Sequence, residues 1–286
     1  MNVLSVQSAV ACGHVGNSAA VFVLQRLGHT VWPIDTVRFS NHPGRGPVRG
    51  GSTAWAEMAE LLAGLVELEL FADCAAVLSG YLGAADQGTV VLDAARHARQ
   101  ANRDAIWLLD PVIGDRGRVF VREGIPEFIR DVAAPAADIL APNQFELAYL
   151  TRRSVDTHAD ALAAARALHA AGTDRSRRLV VATGLRLADA PLDSLTTLAV
   201  AGDASWQVVT PLIDHPAFGA GDMFSALLLG WCLRRCALPE AVQRAVAGVH
   251  GVIVRSALAG AADLLLAEAQ DELVAPTRLF LAEAIA

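Results

Sequence analysis

The sequence predicts an α/β fold in which helices flank a mostly parallel central sheet. Short apolar segments alternate with segments of helical periodicity along residues 1 to 190. Most of these apolar segments are continuous, which is typical of strands that crossover helices bury on both faces. Two later apolar segments lie close together on either side of Gly202 and Asp203. This spacing predicts an antiparallel hairpin near the C-terminal part of the sheet.

The predicted elements follow one another in a regular order. A strand over residues 2–7 precedes a helix over 18–27, capped by Asn17 or Ser18, and a strand over 29–39. Residues 40–51 hold four glycines and two prolines, which predicts an exposed loop. A helix is expected over 54–70. Six further segments are expected to be strands: 75–78, 105–109, 138–140, 179–182, 195–200 and 206–209. No repeat or linker interrupts this order, so we expect residues 1–286 to form a single domain.

Composition limits the kinds of partner. The chain is 53% hydrophobic, enough for a large core, and its formal net charge of −7 gives no indication of a nucleic-acid partner. All 23 basic residues are arginines. The absence of lysine excludes a P-loop lysine and a lysine Schiff base. If the protein handles a triphosphate, arginine, metal and backbone N–H groups must meet its charge.

The four cysteines and the hydropathy pattern predict the cellular compartment. Cys12, Cys74, Cys232 and Cys236 do not have the spacing of a secreted disulfide framework, and we interpret them as reduced thiols. No uninterrupted apolar span reaches about 20 residues, the length that crosses a bilayer. We therefore expect a cytoplasmic protein that does not bind membranes.

Residues 218–222 carry the most chemical information. Two glycines precede Asp222 where an apolar helix begins, a helix indicated by side chains such as Met223 and Leu227. Free backbone N–H groups of Gly219, Ala220 and Gly221 suit an anion, and Asp222 suits a base that takes a hydroxyl proton. Phosphoryl transfer to an alcohol requires both an anion-binding group and a base. An ordinary aspartate pKa of about 4 would keep Asp222 ionised. The alternative is that Asp222 only caps the helix.

Polar residues at the ends of the other predicted strands belong to the same argument. In a parallel sheet, ligands bind outside the carboxyl ends of the strands. The residues found there are Ser8, Ser79-Gly80-Tyr81, Asp110-Pro111, Pro142-Asn143 and Thr183-Gly184. Each could be ordinary turn chemistry, but together they would converge on one rim with Asp222.

In this order, these motifs resemble the pyridoxal kinases, the vitamin B6 kinases of the ribokinase-like superfamily. The resemblance runs from residue 3 to about residue 255. It rests on the following segments of this chain: Gln7-Ser8, residues 13–20, Val37 to His42, Ser79 to Gly83, Asp110 to Asp115, Pro142 to Glu146 and Gly219 to Asp222. The Ser-Asn-His and Ser-Gly-Tyr-Leu-Gly segments are fairly specific to B6 kinases, whereas Gly-Ala-Gly-Asp is shared across the superfamily.

The resemblance implies a ribokinase-like three-layer sandwich and an ATP-dependent activity. The reaction would phosphorylate the 5′-hydroxymethyl group of pyridoxal, and of pyridoxine or pyridoxamine, to give the 5′-phosphate. Asp222 would be the base, and the N–H groups of Gly219, Ala220 and Gly221 would form the anion hole. The family also implies a homodimer.

The resemblance further implies which residues bind the vitamin and which bind ATP. Five of them would bind the vitamin from the strand ends and from a lid over residues 40–51: Ser8, His42, Pro43, Gly44 and Tyr81. Five would bind ATP: Asp110, Asp115, Asn143, Glu146 and Thr183. Of these, Asp110, Asn143 and Glu146 would also hold Mg²⁺, partly through water. Asn143 and Glu146 equally suit a capping box, and both roles can coexist.

Three departures from the family pattern affect these expectations. Pro43 replaces a threonine of the lid, which puts the affinity or choice of vitamer in question. Ala141 stands where some relatives have a threonine near a monovalent cation, so activation by K⁺ is left open. Without lysine, Arg116 or Arg118 would serve the phosphates. The alternatives are a hydroxymethylpyrimidine or sugar kinase, or a B6- or nucleotide-binding protein with little turnover. Tyr81 and His42 favour a flat ring over a sugar.

Overall fold

The computed structural model describes residues 1–285. Six strands are mutually parallel: β1 (Asn2–Val10), β2 (Thr30–Phe39), β4 (Cys74–Ser79), β5 (Ile106–Leu109), β8 (Ile139–Leu140) and β9 (Leu179–Leu185). Four strands pair antiparallel at the two ends of the sheet: β3 (Gly50–Ser52), β10 (Ser194–Ala201), β11 (Ala204–Pro211) and β12 (Glu283–Ile285). A separate small hairpin pairs β6 (Gly114–Asp115) with β7 (Arg118–Val119).

The ten strands of the main sheet have the order β12-β11-β10-β9-β8-β5-β4-β1-β2-β3. Its helices are α1 (Asn17–Arg26), α2 (Trp55–Glu67), α3 (Gln87–Ala101), α4 (Ile125–Phe128), α5 (Ala134–Ala136), α6 (Gln144–Thr151), α7 (His158–Ala170), α8 (Ala220–Leu233) and α9 (Leu238–Leu258). The predicted α/β fold with its parallel sheet and late hairpin is confirmed.

Two hydrophobic cores lie on opposite faces of the sheet. One core contains buried side chains of α2, α3, α6 and α7, such as Met58 and Leu147. The other contains side chains of α1, α8 and α9, such as Leu24 and Leu227. The chain therefore forms three layers, helices on sheet on helices. Within residues 1–285, no helix combines the length and the hydrophobicity needed to cross a bilayer.

The structure corrects several local predictions. Helix α1 begins at Asn17 after Gly16, so neither Asn17 nor Ser18 caps it. The Asn17 side chain is buried, accepts a hydrogen bond from Ser5 Oγ at 2.7 Å and donates to the Ile34 carbonyl at 3.1 Å. It thereby ties β1 to β2. The loop predicted over 40–51 contains a 3₁₀ turn, Pro43–Arg45, and the first residues of β3.

All six parallel strands have their carboxyl ends at one edge of the sheet. The loops after β4, β5 and β8 leave from this edge. Residues predicted to follow these strands are therefore neighbours in space even where they are far apart in sequence.

Candidate functional site

The start of α8 has the geometry of an anion-binding helix N-terminus. Gly219 precedes the helix with a φ of 90°, and a Cβ there would lie 1.8 Å from the His14 carbonyl oxygen. Only glycine fits both the dihedral and this close backbone approach. The N-cap residue Gly219 makes no side-chain hydrogen bond to the 14-residue helix, and the Ala220 N–H donates to the Ala217 carbonyl at 3.0 Å. The N–H groups of Gly219 and Gly221 are left to bind an anion, together with the partial positive charge of the helix end.

The N-cap residue of α8 is Gly219 and Asp222 lies in the first turn, so the interpretation of Asp222 as the N-cap residue is wrong. The expectation of an ordinary pKa is wrong as well. Burial raises the pKa of Asp222 to about 6, although a hydrogen bond from the Gly16 backbone N–H favours the ionised form. The side chain stays partly exposed and so remains accessible to a ligand. At neutral pH it is mostly ionised and a stronger base than an ordinary aspartate.

Asp110 follows β5 and is buried beside α8. Ser225 Oγ, one turn after Asp222, donates a hydrogen bond to Asp110 Oδ2 at 3.0 Å. The same oxygen would lie 3.8 Å from a Cβ placed on Gly221. Burial, and then the charge of Asp222, raises the pKa of Asp110 to about 7. The carboxyl groups of Asp110 and Asp222 thus interact electrostatically at the start of α8.

Asn143 and Glu146 form a capping box at the start of α6. Asn143 Oδ1 accepts from the Glu146 N–H at 2.9 Å, and Glu146 Oε2 accepts from the Asn143 N–H at 2.9 Å. Glu146 Oε1 also accepts from the Ile113 N–H at 3.1 Å. Burial first, and the charge of Asp110 second, holds the pKa of Glu146 well above its usual range. The capping role predicted for this pair is confirmed, and it leaves Glu146 close to Asp110.

The donor set of this acidic region fits a hard divalent cation. Across residues 1–285, no three or more His, Cys, Asp or Glu side chains are grouped to hold a metal by themselves. Mg²⁺ does not need such a cage, because it binds through one or two carboxylates, water and substrate phosphates. Both Glu146 oxygens already accept backbone N–H groups. The carboxylate of Asp110 is therefore the best placed protein ligand.

Two further residues predicted to bind ATP lie beside Asn143. Thr183 lies within β9 and forms a parallel bridge with Asn143, its N–H donating to the Pro142 carbonyl at 2.9 Å. Asp115 lies on the 114–119 hairpin, which Asn143 Nδ2 joins through the Gly114 carbonyl at 2.8 Å. Residues 115–119 of this small hairpin are exposed.

Arg116 and Arg118 are exposed on the same hairpin. Arg116 has a left-handed φ of 48°, and its Nε lies 3.7 Å from an Asp115 carboxylate oxygen. Both arginines lie on the hairpin that Asn143 joins to the start of α6.

On the other side of Asp222 lie the residues predicted to bind the vitamin. Ser8 lies within β1, where its carbonyl oxygen would be 2.1 Å from a Cβ on Gly16. The glycine allows the loop before α1 to close over Ser8. Tyr81 follows β4, and Thr36 Oγ1 donates to its carbonyl oxygen at 2.7 Å. The Tyr81 ring is partly buried, and burial raises the pKa of its hydroxyl.

The predicted lid packs against Phe218, which precedes the predicted anion hole. The His42 ring stacks on the Phe218 ring, with centroids 4.3 Å apart and planes inclined by 26°. His42 Nδ1 accepts the Gly44 N–H at 3.0 Å, and a Cβ on Gly44 would lie 2.4 Å from the Phe218 ring. Pro43 starts the 3₁₀ turn between them. Sequence reasoning missed the role of Phe218, because stacking partners from distant loops leave no periodic signal.

Two surface cavities lie away from this rim. One of about 320 Å³ is lined by α3 and by Trp107, and one of about 490 Å³ lies at the amino ends of β5, β8 and β9. Neither contains a residue predicted to bind the vitamin or ATP. The candidate site is therefore identified by its chemistry and by its place at the carboxyl edge of the sheet.

The layered fold, with a carboxylate at a glycine-led helix start on the carboxyl edge of the sheet, defines a ribokinase-like kinase. Comparison with known proteins identifies the family. Residues 68–265 match the family model described as phosphomethylpyrimidine kinase. The chain is 46% identical to the pyridoxal kinase PdxY of Rubrobacter xylanophilus over 278 residues, covering 96% of this chain and 94% of the relative. It is 44% identical to the pyridoxal kinase PdxY of Deinococcus radiodurans, covering 99% and 96%.

A solved structure agrees with these relatives. Pyridoxal kinase from Leishmania donovani, in complex with ADP and pyridoxamine, superposes with a TM-score of 0.91 at 30% identity, covering 100% of this chain and 99% of that one. The chain belongs to the pyridoxal kinase family, and as a member it is a phosphotransferase.

Proposed function

We propose that this chain transfers the γ-phosphoryl group of ATP to the 5′-hydroxymethyl group of pyridoxal, giving pyridoxal 5′-phosphate and ADP. The observation that carries the proposal is the partly buried Asp222 in the first turn of α8, directly after Gly219 to Gly221. The L. donovani relative, in complex with ADP and pyridoxamine, supports the choice of substrates.

Asp222 is the proposed base. Its raised pKa makes it a better proton acceptor than an ordinary aspartate while leaving it mostly ionised at neutral pH. It takes the proton of the 5′-hydroxyl as that oxygen bonds to the γ-phosphorus and the bond to the ADP oxygen breaks. Asp222 holds the proton and releases it to solvent, so protons and charge balance.

The N–H groups of Gly219, Ala220 and Gly221 are the proposed anion hole. They would face charge that develops on the transferred phosphoryl oxygens, and Gly219 lies against the His14 carbonyl. The Ala220 N–H donates to the Ala217 carbonyl at 3.0 Å, so Gly219 and Gly221 are the more direct donors. Thr183, Asn143 and Asp115 belong to the nucleotide side, and the arginines of the 114–119 hairpin supply the positive charge that lysine provides elsewhere.

Mg²⁺ is the proposed cofactor. Asp110 would hold it directly or through water, with Asn143 and Glu146 close by. When bound, it supplies positive charge to the ATP phosphates. Asp110 and Glu146 repel one another when both are ionised, and a cation among them offsets that repulsion. K⁺ is a second candidate cation. Ala141 stands where some relatives have a threonine, and its buried apolar side chain offers no oxygen to a cation.

The acceptor side is proposed to bind a flat heteroaromatic ring. Tyr81 would lie against the ring and Ser8 would hydrogen-bond a ring substituent, while His42, Pro43 and Gly44 cover it from the lid. His42 Nδ1 accepts the Gly44 N–H, so the neutral imidazole of His42 carries its proton on Nε2. His42 therefore offers a donor to the ligand.

We further propose one kinase domain over residues 1–286 that forms a cytoplasmic homodimer. The continuous sheet supports the single domain, and four free thiols suit a reducing compartment. The dimer rests on the family. Light scattering of the purified protein tests it, and a monomeric mass of 30.0 kDa would contradict it.

The test of the proposed activity is ADP release measured with four acceptors: pyridoxal, pyridoxine, hydroxymethylpyrimidine and ribose. We expect the B6 vitamers to have the highest kcat/KM. Hydroxymethylpyrimidine is included because the matching family model is described as phosphomethylpyrimidine kinase. Preference for it would overturn the pyridoxal assignment. ADP release that no acceptor increases would favour a binding protein with little turnover.

A further inference from the structure

The lid is fastened by more than its stack on Phe218. Arg45, the last residue of the 3₁₀ turn, forms an ion pair through Nη1 with Asp263 Oδ2. Their side chains are 30% and 25% exposed, so the pair is partly shielded from water. Arg45 is the only lid arginine that the structure pairs with a carboxylate within residues 1–285. Asp263 therefore fixes the position of the turn that follows His42.

Asp263 lies next to a buried, hydrogen-bonded segment. It lies in the turn after α9, and the next residue, Leu264, is buried in the core beneath α8 and α9. The N–H of Leu265 donates to Ser256 Oγ at 2.9 Å, and that hydroxyl donates to the Val252 carbonyl at 2.7 Å. The carboxylate is thus attached to a buried hydrogen-bonded anchor, while its partner Arg45 is on an otherwise exposed loop.

Asp263 also lies close to the loop that supports the proposed anion hole. A Cβ placed on Gly13 would lie 3.6 Å from Asp263 Oδ1. The next residue of that loop, His14, places its carbonyl oxygen against Gly219. The carboxylate that pairs with the lid is therefore a neighbour of the loop on which the proposed anion hole rests. The negative charge of Asp263 also acts on His42. Burial lowers the pKa of the His42 imidazole, and the charge of Asp263 raises it by a smaller amount.

We infer that Asp263 is a positioning residue for the acceptor alcohol. By holding Arg45, it keeps the lid closed so that His42 lies against Phe218 beside the anion hole. This role rests on the proposed function of the site. Asp263 follows α9 and pairs with the lid, whereas the proposed nucleotide side is built from β8, β9 and the 114–119 hairpin. Its loss should weaken the acceptor and spare ATP.

The kinetic test uses Asp263→Asn, which keeps the shape of the side chain and removes its charge. We expect the KM for pyridoxal to rise about fivefold, because a partly exposed ion pair can shift the equilibrium between open and closed lid by about that factor. The KM for ATP should be unchanged. Arg45→Gln should have the same effect, and the double variant should be no worse than either single one. Asp271→Asn is the matched control, because Asp271 pairs with Arg255 at 2.9 Å on the same C-terminal segment but away from the lid.

A second readout does not depend on activity. The chain has no lysine, so trypsin can cut the lid only after Arg45 and Arg49. In the ligand-free protein, Asp263→Asn should be cut after Arg45 several times faster than the parent or Asp271→Asn. Cleavage after Arg49 is the readout for variants that lack Arg45. It should be faster in Arg45→Gln than in the parent, and the swapped pair Arg45→Asp with Asp263→Arg should return it to the slow rate of the parent. If cleavage and the KM for pyridoxal match the control, the inference is wrong. If pyridoxal proves not to be a substrate while cleavage still responds, the proposed function fails and the lid contact stands.

Discussion

Replacing Asp222 by asparagine should lower activity and raise stability together. The substitution keeps the size of the side chain and an oxygen that can accept the Gly16 N–H, while removing the charge. As a base, Asp222 is expected to contribute about 10²–10⁴-fold to turnover. Its ionised form is costly in the folded protein, because burial raises its pKa from 3.8 to about 6. If Asp222 is the base, loss of the carboxylate should lower turnover and remove a folding penalty at once.

The size and pH dependence of this penalty follow from linkage. The folded state binds more protons than the unfolded state between about pH 4 and pH 6, so stability falls as the pH rises through that window. Above pH 6 the full penalty applies, about 3 kcal/mol for the shift from 3.8 to about 6. Asp222→Asn should therefore raise the free energy of unfolding by about 3 kcal/mol at pH 8 and by about 1.5 kcal/mol at pH 5.

Urea unfolding at the two pH values measures this gain, and steady-state ADP release measures the loss of activity. Glu60→Gln on the exposed face of α2 is the control and should change neither. A helix cap would behave in the opposite way, since its removal costs about 0.5–2 kcal/mol. A variant that is less stable than the parent at pH 8, or that keeps full activity, would refute the reasoning.

Four other outcomes are expected. The kcat/KM for the acceptor should rise with pH to a plateau above about pH 6, following the pKa of Asp222, and a profile that is flat from pH 5 to pH 8 would contradict the assignment of the base. Gly219→Ala should lower kcat by about 10²-fold or more, because a Cβ there meets the His14 carbonyl at 1.8 Å; near-normal kcat would mean that the anion hole lies elsewhere. Tyr81→Ala should raise the KM for pyridoxal about threefold to tenfold with little effect on ATP, and equal weakening of both substrates would exclude a stacking role. Asp110→Asn should raise the Mg²⁺ concentration for half-maximal activity about tenfold, whereas an unchanged requirement would remove Asp110 as the metal ligand.

The order of elements could be predicted because burial on both faces leaves a direct signal. The continuous apolar runs of β4, β5 and β8 indicated a parallel sheet, and the alternation with helices fixed its layers. Short strands at the edges could not be predicted in the same way. The three-residue strand β3 contains two glycines, and the 114–119 hairpin is mostly exposed, so neither has an apolar pattern.

Residue types in the site could be predicted, but their electrostatics could not. The sequence places Asp222 at a helix start, whereas its raised pKa depends on residues brought near it by the fold. Asn17 illustrates the same limit. Its place before an apolar helix suggested a cap, while the structure buries it between β1 and β2, where strand carbonyls and Ser5 satisfy its amide. Contacts between distant loops, such as Arg45 with Asp263, leave no trace in local sequence.

The most direct test of the central claim is the identity of the phosphorylated product. Mass spectrometry and ³¹P NMR should detect one pyridoxal 5′-phosphate for each ADP formed when the parent protein is incubated with pyridoxal and Mg²⁺-ATP. Asp222→Asn should form this product about 10²–10⁴-fold more slowly. ADP that accumulates without a phosphorylated vitamer, or a variant as fast as the parent, would contradict the account.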